Sequence, residues 1–255
     1  MRRPMDALLD RTFDAEQRHF WFIGFRRFVN TLLKGATEGI SRPRVLDAGC
    51  GTGVNLALLE SYGVPFGVEL LWRGLQFGHA RGRTRLTQGS VTRLPYPDAS
   101  MDVVASFDVL YCLQDADEQA AIAEMFRVLR PGGAIVVNVA ALAMLKGDHS
   151  TLAGEVRRYT TRELREKLER AGFRIVRMTY TNASLFPITA LVRALQRLRG
   201  VKPEAKSTGD FYIPPEPVNA LLSRALILES RLIAAGIDMP FGSSVLCLAR
   251  KPRGC

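Results

Sequence analysis

Apolar positions along this chain fall into two alternating rhythms. Short, dense apolar runs at Arg44–Asp47, Pro65–Glu69, Met101–Phe107, Ala134–Val139, Phe173–Tyr180 and Ser244–Ala249 predict strands, and Thr84–Thr87 a short one between the second and the next. Between them, apolar residues recurring every third or fourth position predict helices over residues 6–36, 72–81 and 116–129. The last of these gives way at Pro131-Gly132-Gly133, a break before the next strand. Thr160, three residues ahead of Glu163, marks a helix start that runs to Gly172. Two more amphipathic helices are expected at Ser184–Leu198 and Pro217–Ala235, joined by a proline-rich loop, Gly200–Pro217, expected to be mobile. Strands alternating with helices make βαβ units, so the fold class is α/β with a mainly parallel sheet. Met101–Phe107 is apolar almost throughout, as a strand covered by helices on both faces must be.

The chemistry concentrates where the first strand ends, at Val45-Leu46-Asp47-Ala48-Gly49-Cys50-Gly51-Thr52-Gly53. Glycines there let backbone approach a ligand where a Cβ would collide. Gly49, Gly51 and Gly53 stand at every second residue, which is not the Gly-x-Gly-x-x-Gly spacing of dinucleotide sites. The acid is the telling residue. A loop built for pyrophosphate avoids a carboxylate at that point, whereas a ligand with a cationic centre and hydroxyls favours one. Glu69 ends the second strand about 20 residues on, the spacing of a ribose-binding acid, and one carboxylate offers two oxygens to a vicinal diol.

Composition narrows the remaining classes. The 47% hydrophobic content is ample for a core, yet no run of eighteen apolar residues exists to cross a membrane. Met1-Arg2-Arg3-Pro4 is followed by charged sequence and not by an apolar signal core, so a cytoplasmic location is expected. Cys50, Cys112, Cys247 and Cys255 are scattered without His partners, which argues against a disulfide framework and against a metal site. The net charge of +10 is compatible with an acidic partner, but no basic–aromatic interleaving or RNA-binding signature accompanies it, and nucleic acid is disfavoured.

Four ordered elements resemble the class I S-adenosylmethionine-dependent methyltransferases of the type 11-like group. They are the Asp47–Gly53 loop, Glu69, the segment from Leu94-Pro95-Tyr96-Pro97-Asp98 to Asp102-Val103-Val104, and Arg127-Val128-Leu129-Arg130-Pro131-Gly132-Gly133. The resemblance implies a Rossmann-like, seven-stranded, mainly parallel sheet whose last strand is antiparallel, and S-adenosyl-L-methionine as cofactor. It implies cofactor contacts from Asp47, Gly49, Cys50, Gly51, Gly53, Glu69, Leu70, Ser90, Val91, Phe107 and Asp108. Two departures stand out. Many members carry an acid after the third strand, where this chain has Gln88-Gly89-Ser90-Val91; Ser90 can still accept one hydrogen bond and Val91 can pack on the base. A histidine common after the fourth strand is replaced within Asp108-Val109-Leu110-Tyr111-Cys112.

The acceptor side is read from fewer signals. His149 is the candidate general base, a group titrating near neutrality in the segment after the fifth strand, and Tyr111 is the second candidate for a catalytic role. Arg157, Arg158 and Tyr159 are candidates to clamp an anionic acceptor, and Trp21 is a candidate lid residue. The expected organisation is an N-terminal helical cap over residues 1–40, a methyltransferase core over 41–181, a helical insertion over 182–242, and a final strand and tail over 243–255. The insertion suits an acceptor-binding cap first, and a homodimer surface or peripheral membrane contact after it. The expected reaction is methyl transfer to a small-molecule, lipid-linked or sugar-linked acceptor at oxygen. A catalytically silent cofactor-binding protein and an RNA methyltransferase are the alternatives.

Overall fold

The computed structural model describes residues 4–147, 150, 153–198 and 211–254. Its strands are β1 (Arg44–Ala48), β2 (Val64–Glu69), β3 (Leu86–Gln88), β4 (Met101–Phe107), β5 (Leu129–Ala140), β6 (Arg174–Thr181) and β7 (Ser244–Arg250). The described helices are α1 (Pro4–Ala15), α2 (Phe20–Thr37), α3 (Val54–Glu60), α4 (Trp72–Ala80), α5 (Asp115–Val128), α6 (Thr161–Arg170), α7 (Phe186–Leu198) and α8 (Glu216–Ala234).

The strands form one sheet in the order β3-β2-β1-β4-β5-β7-β6. β1 through β5 pair in parallel, and β7 runs antiparallel to both of its neighbours. This is the expected seven-stranded architecture. Every residue of β4 is buried, because apolar layers cover both sheet faces. One layer sets Met125, Leu164 and Leu168 under the sheet; the other sets Phe28, Leu32, Leu33 and Leu226 against it. The strand order reverses between β1 and β4, and in such sheets ligands bind at the carboxyl ends of the strands beside that reversal.

Three expectations about elements change. The N-terminal helix is two helices, broken where His19 caps α2 by accepting a hydrogen bond from the Trp21 backbone N–H. The third strand begins at Leu86 and not at Thr84. The Pro131-Gly132-Gly133 break lies inside β5: Leu129 already pairs with Met101, and the regular ladder resumes when Ala134 pairs with Val103. The Thr160–Glu163 capping box is formed. Residues 200–210 of the expected mobile loop lie outside the described residues.

α7 and α8 both lie between β6 and β7 in sequence. α8 packs along α2, its Leu226 reaching the buried face around Gly24. Cys50, Cys112 and Cys247 are unbridged, and Cys255 is outside the described residues.

Candidate active site

The glycine loop turns sharply because two successive amides, those of Gly49 and Cys50, both donate to the Val68 carbonyl at the end of β2. That geometry puts Gly49 at φ +90°, and a Cβ there would lie 2.4 Å from Val109 Cγ2. A side chain at this position is excluded both by the backbone conformation and by the space.

Glu69 closes the loop from the neighbouring strand. Its Oε2 accepts from the Gly51 backbone N–H at 2.9 Å, and its Oε1 accepts from the Leu71 N–H at 2.8 Å. Each oxygen keeps further acceptor capacity. Burial pushes the Glu69 carboxyl above its usual range, and these backbone donors oppose the shift. Asp47 is 1% exposed, and neither of its carboxylate oxygens has a hydrogen-bond partner. Desolvation, with the Glu69 charge adding to it, raises its pKa to about 7. A buried carboxylate without partners is costly, so this position favours a ligand that brings a cation or donors.

A cavity of about 740 Å³ opens over this loop, within the range of small-molecule sites. Gly49, Cys50, Gly51, Glu69, Leu70, Ser90, Val91, Phe107 and Asp108 line it, as do Trp21, Tyr111 and Arg158. Asp47 and Gly53 do not line it. Asp108 sits at φ +61° after β4, its Oδ1 accepting from Asn138 Nδ2 at 2.9 Å, and burial raises its pKa to about 7. Burial also holds the Tyr111 hydroxyl protonated far above its ordinary range. The Ser90 hydroxyl lies 2.7 Å from that of Thr92.

The three residues considered as an anion clamp separate. Arg157 and Tyr159 do not line the cavity. Both reach Glu118, which is fully buried and also takes Lys167 Nζ at 2.6 Å; Tyr159 donates to it at 2.6 Å. A buried carboxylate requires such partners, and that requirement consumes Arg157 and Tyr159. Arg158 does line the cavity, but its guanidinium is held by both oxygens of Glu155, the Ala141 carbonyl and the Ser150 hydroxyl. His149 lies outside the described residues.

A latch that sequence reading did not single out joins the N-terminal helices to the loop. Glu16, 1% exposed, accepts from the Thr52 hydroxyl at 2.7 Å and pairs with Arg81 at 2.5 Å, while Arg81 also donates to the Thr52 carbonyl. The Arg81 guanidinium lies over the Phe13 ring, which stacks on Phe77. No local signal could have found this, because the partners are 36 and 65 positions from Glu16 (52 − 16 and 81 − 16). Thr52→Val leaves the buried Glu16 with one fewer donor, and is expected to cost about 1–3 kcal/mol. Urea denaturation measures that loss, and faster proteolysis at the α1–α2 junction should accompany it.

Comparison with known proteins places this arrangement. Residues 46–137 match the family described as a methyltransferase domain. Within residues 46–137 the chain carries a methyltransferase domain. The match spans β1 through most of β5 and so contains the loop, Glu69, Asp108 and Tyr111. A probable S-adenosylmethionine-dependent methyltransferase of Mycolicibacterium smegmatis is 34% identical over 136 residues, 51% of this chain and 52% of that protein. A malonyl-[acyl-carrier protein] O-methyltransferase of Serratia marcescens is 36% identical over 125 residues, 48% of each chain. The chain therefore spans about half the length of these curated relatives. Among solved structures, the complex of a Haloferax volcanii putative methyltransferase with its Trm112 activator aligns over 98% of this chain and 96% of that one, with a TM-score of 0.62 and 20% identity. That likeness concerns the fold, and extends it from the methyltransferase domain to nearly the whole chain.

Proposed function

We propose that the protein binds S-adenosyl-L-methionine over the Asp47–Gly53 loop and transfers its methyl group to an oxygen of a small-molecule, lipid-linked or sugar-linked acceptor. The observation that carries this reading is Glu69. Its carboxylate holds the loop through the Gly51 amide and also accepts from Leu71, and it lines the cavity with acceptor capacity left for a ribose diol. The orphaned Asp47 does not line the cavity, and its charge suits the cofactor's ammonium through intervening waters. Val91 packs against the base, and Ser90 offers it one polar contact. Support for oxygen as the accepting atom comes from the resemblance to an O-methyltransferase.

The cofactor supplies an activated methyl carbon for in-line displacement. The chain's own work is then alignment and exclusion of water. Phe20, Trp21, Phe22 and Phe25 wall one side of the cavity, and Leu145 and Leu185 also line it. Tyr111, held neutral, donates a hydrogen bond to the acceptor oxygen. His149 takes the proton of a hydroxyl acceptor; a pH–rate profile unchanged in His149→Gln removes it from that role. Tyr111→Phe is expected to leave binding of S-adenosylhomocysteine intact and to lower kcat about tenfold, the value of one hydrogen bond in the transition state.

Calorimetric titration with S-adenosylmethionine and S-adenosylhomocysteine tests the reading directly. Saturable binding of both is expected, and absence of either defeats it. Binding without turnover across alcohol, carboxylate and sugar acceptors would turn it into the cofactor-binding, non-catalytic reading.

A further inference from the structure

Both helices of the segment between β6 and β7 expose an apolar stripe. On α7, Ile188, Leu191, Val192, Leu195 and Leu198 face outward, with Leu191 62% and Leu198 84% exposed. Their spacing is one continuous helical stripe. The inward side of the same helix holds Thr189, Arg193 and Gln196, with Arg193 buried and donating to Gln196 Oε1 at 2.8 Å.

α8 repeats the pattern. Val218, Leu221, Leu228 and Leu232 face outward, Leu221 at 66% exposure. The buried side of α8 holds Leu226 and Ile233 in the core together with the polar Asn219, Ser223, Glu229 and Ser230. Asn219 bonds the Phe20 N–H and the Arg18 carbonyl, and Glu229 accepts from the Ala183 and Ser184 amides. A helix on the surface of a water-soluble domain ordinarily buries its apolar stripe and solvates its polar one. Two neighbouring elements of one segment instead leave an apolar stripe exposed, which marks a surface built for an apolar phase.

We propose that the outward faces of α7 and α8 dock on an anionic lipid bilayer surface. Charge selects that occupant. Arg224 and Arg231 are exposed on α8 beside its apolar stripe, and the chain carries a net charge of +10. Apolar stripes with nearby basic residues are the composition of interfacial helices. A second copy of the chain would bring the same basic surface and a net charge of +10 into contact with its like. No helix among the described residues is long and apolar enough to cross a membrane, so the contact lies on the surface. The stripe is also continuous with the cavity: Ile188 and Val192 belong to both, and Tyr212 and Leu222 line the cavity as well. Docking would set the cavity mouth against the lipid.

Flotation of the full chain with vesicles, without cofactor or acceptor, tests this. Phosphatidylcholine vesicles containing phosphatidylglycerol are expected to bind at least about tenfold more tightly than pure phosphatidylcholine, with the difference shrinking as salt rises. Changing Leu191, Leu195, Leu221 and Leu228 together to Gln is expected to reduce binding at least about tenfold. These side chains are exposed, and an unchanged melting curve verifies the variant's fold. The proposal is overturned by absence of binding to either vesicle, or by binding that the quadruple variant leaves intact. It is equally overturned if sedimentation shows a dimer that the variant dissolves while vesicles capture nothing. Since no cofactor enters the assay, failure here leaves the methyl-transfer reading standing, and failure of that reading leaves this result unaffected.

Discussion

Glu69→Ala is expected to weaken S-adenosylhomocysteine binding by about 100-fold or more in calorimetric titration. The carboxylate serves two partners at once. It accepts from the Gly51 and Leu71 amides, and the proposed ribose hydroxyls would donate to the same two oxygens. Hydrogen bonds to a charged acceptor contribute about 1.5–3 kcal/mol each, and about 1.4 kcal/mol is a factor of ten in affinity. Alanine removes the ligand's acceptors and also frees two half-buried amides, so the loop loses the geometry that places Gly51. Glu69→Gln retains one acceptor oxygen but turns an amide N–H toward either Gly51 or Leu71, and an intermediate loss is expected. An affinity for the alanine variant within about threefold of the parent would sink the ribose assignment.

Asp47→Asn is expected to act in opposite directions on stability and on binding. The folded-state pKa of Asp47 is raised to about 7 from an ordinary 3.8. The native state therefore holds this proton more tightly than the unfolded chain, and stability falls as pH rises from about 4 to about 7. Above that window, ionised Asp47 costs the ligand-free protein about 2–4 kcal/mol, which asparagine relieves. The variant should match the parent near pH 4 and exceed it at pH 8 in urea denaturation. Asp108, also raised to about 7, gives the parent a second slope of the same sign that Asp47→Asn leaves in place. Cofactor binding moves the other way, because a cation near the loop favours the ionised carboxylate. Binding to the parent near pH 6 should release a proton, seen as a dependence of the calorimetric heat on the buffer's ionisation enthalpy. Equal stabilities of the two proteins at pH 8 would contradict this account.

Most of the sheet was legible from local pattern. The apolar run Met101–Phe107 demands cover on both faces, and the loop after Asp47 demands glycine wherever backbone must come close. Glu69 was legible for the same reason: its distance along the chain from the loop follows from one βαβ unit. The breaks were less legible. Gly132 and Gly133 read as an end, yet β5 carries them as an irregularity because Leu129 pairs with Met101 before the ladder resumes. The long N-terminal helix parted at residues 16–19, where Glu16 is drawn to Thr52 and Arg81 and His19 caps the next helix.

The acceptor side divides along the same line. Arg157, Arg158 and Tyr159 are equivalent in sequence, three polar residues leading into a helix. Only folding shows that Glu118 claims the first and third, since a carboxylate buried 39 and 41 positions away must be neutralised or bonded. By itself, the amino-acid sequence determined the α/β class, the glycine loop and the acid proposed to hold the ribose, because those depend on periodicity and short-range backbone geometry. The tertiary structure alone decided which polar residues remain available to a ligand and which way α7 and α8 turn their apolar stripes. Those outcomes depend on partners distant in sequence, and a helical stripe read from sequence has a face but no direction.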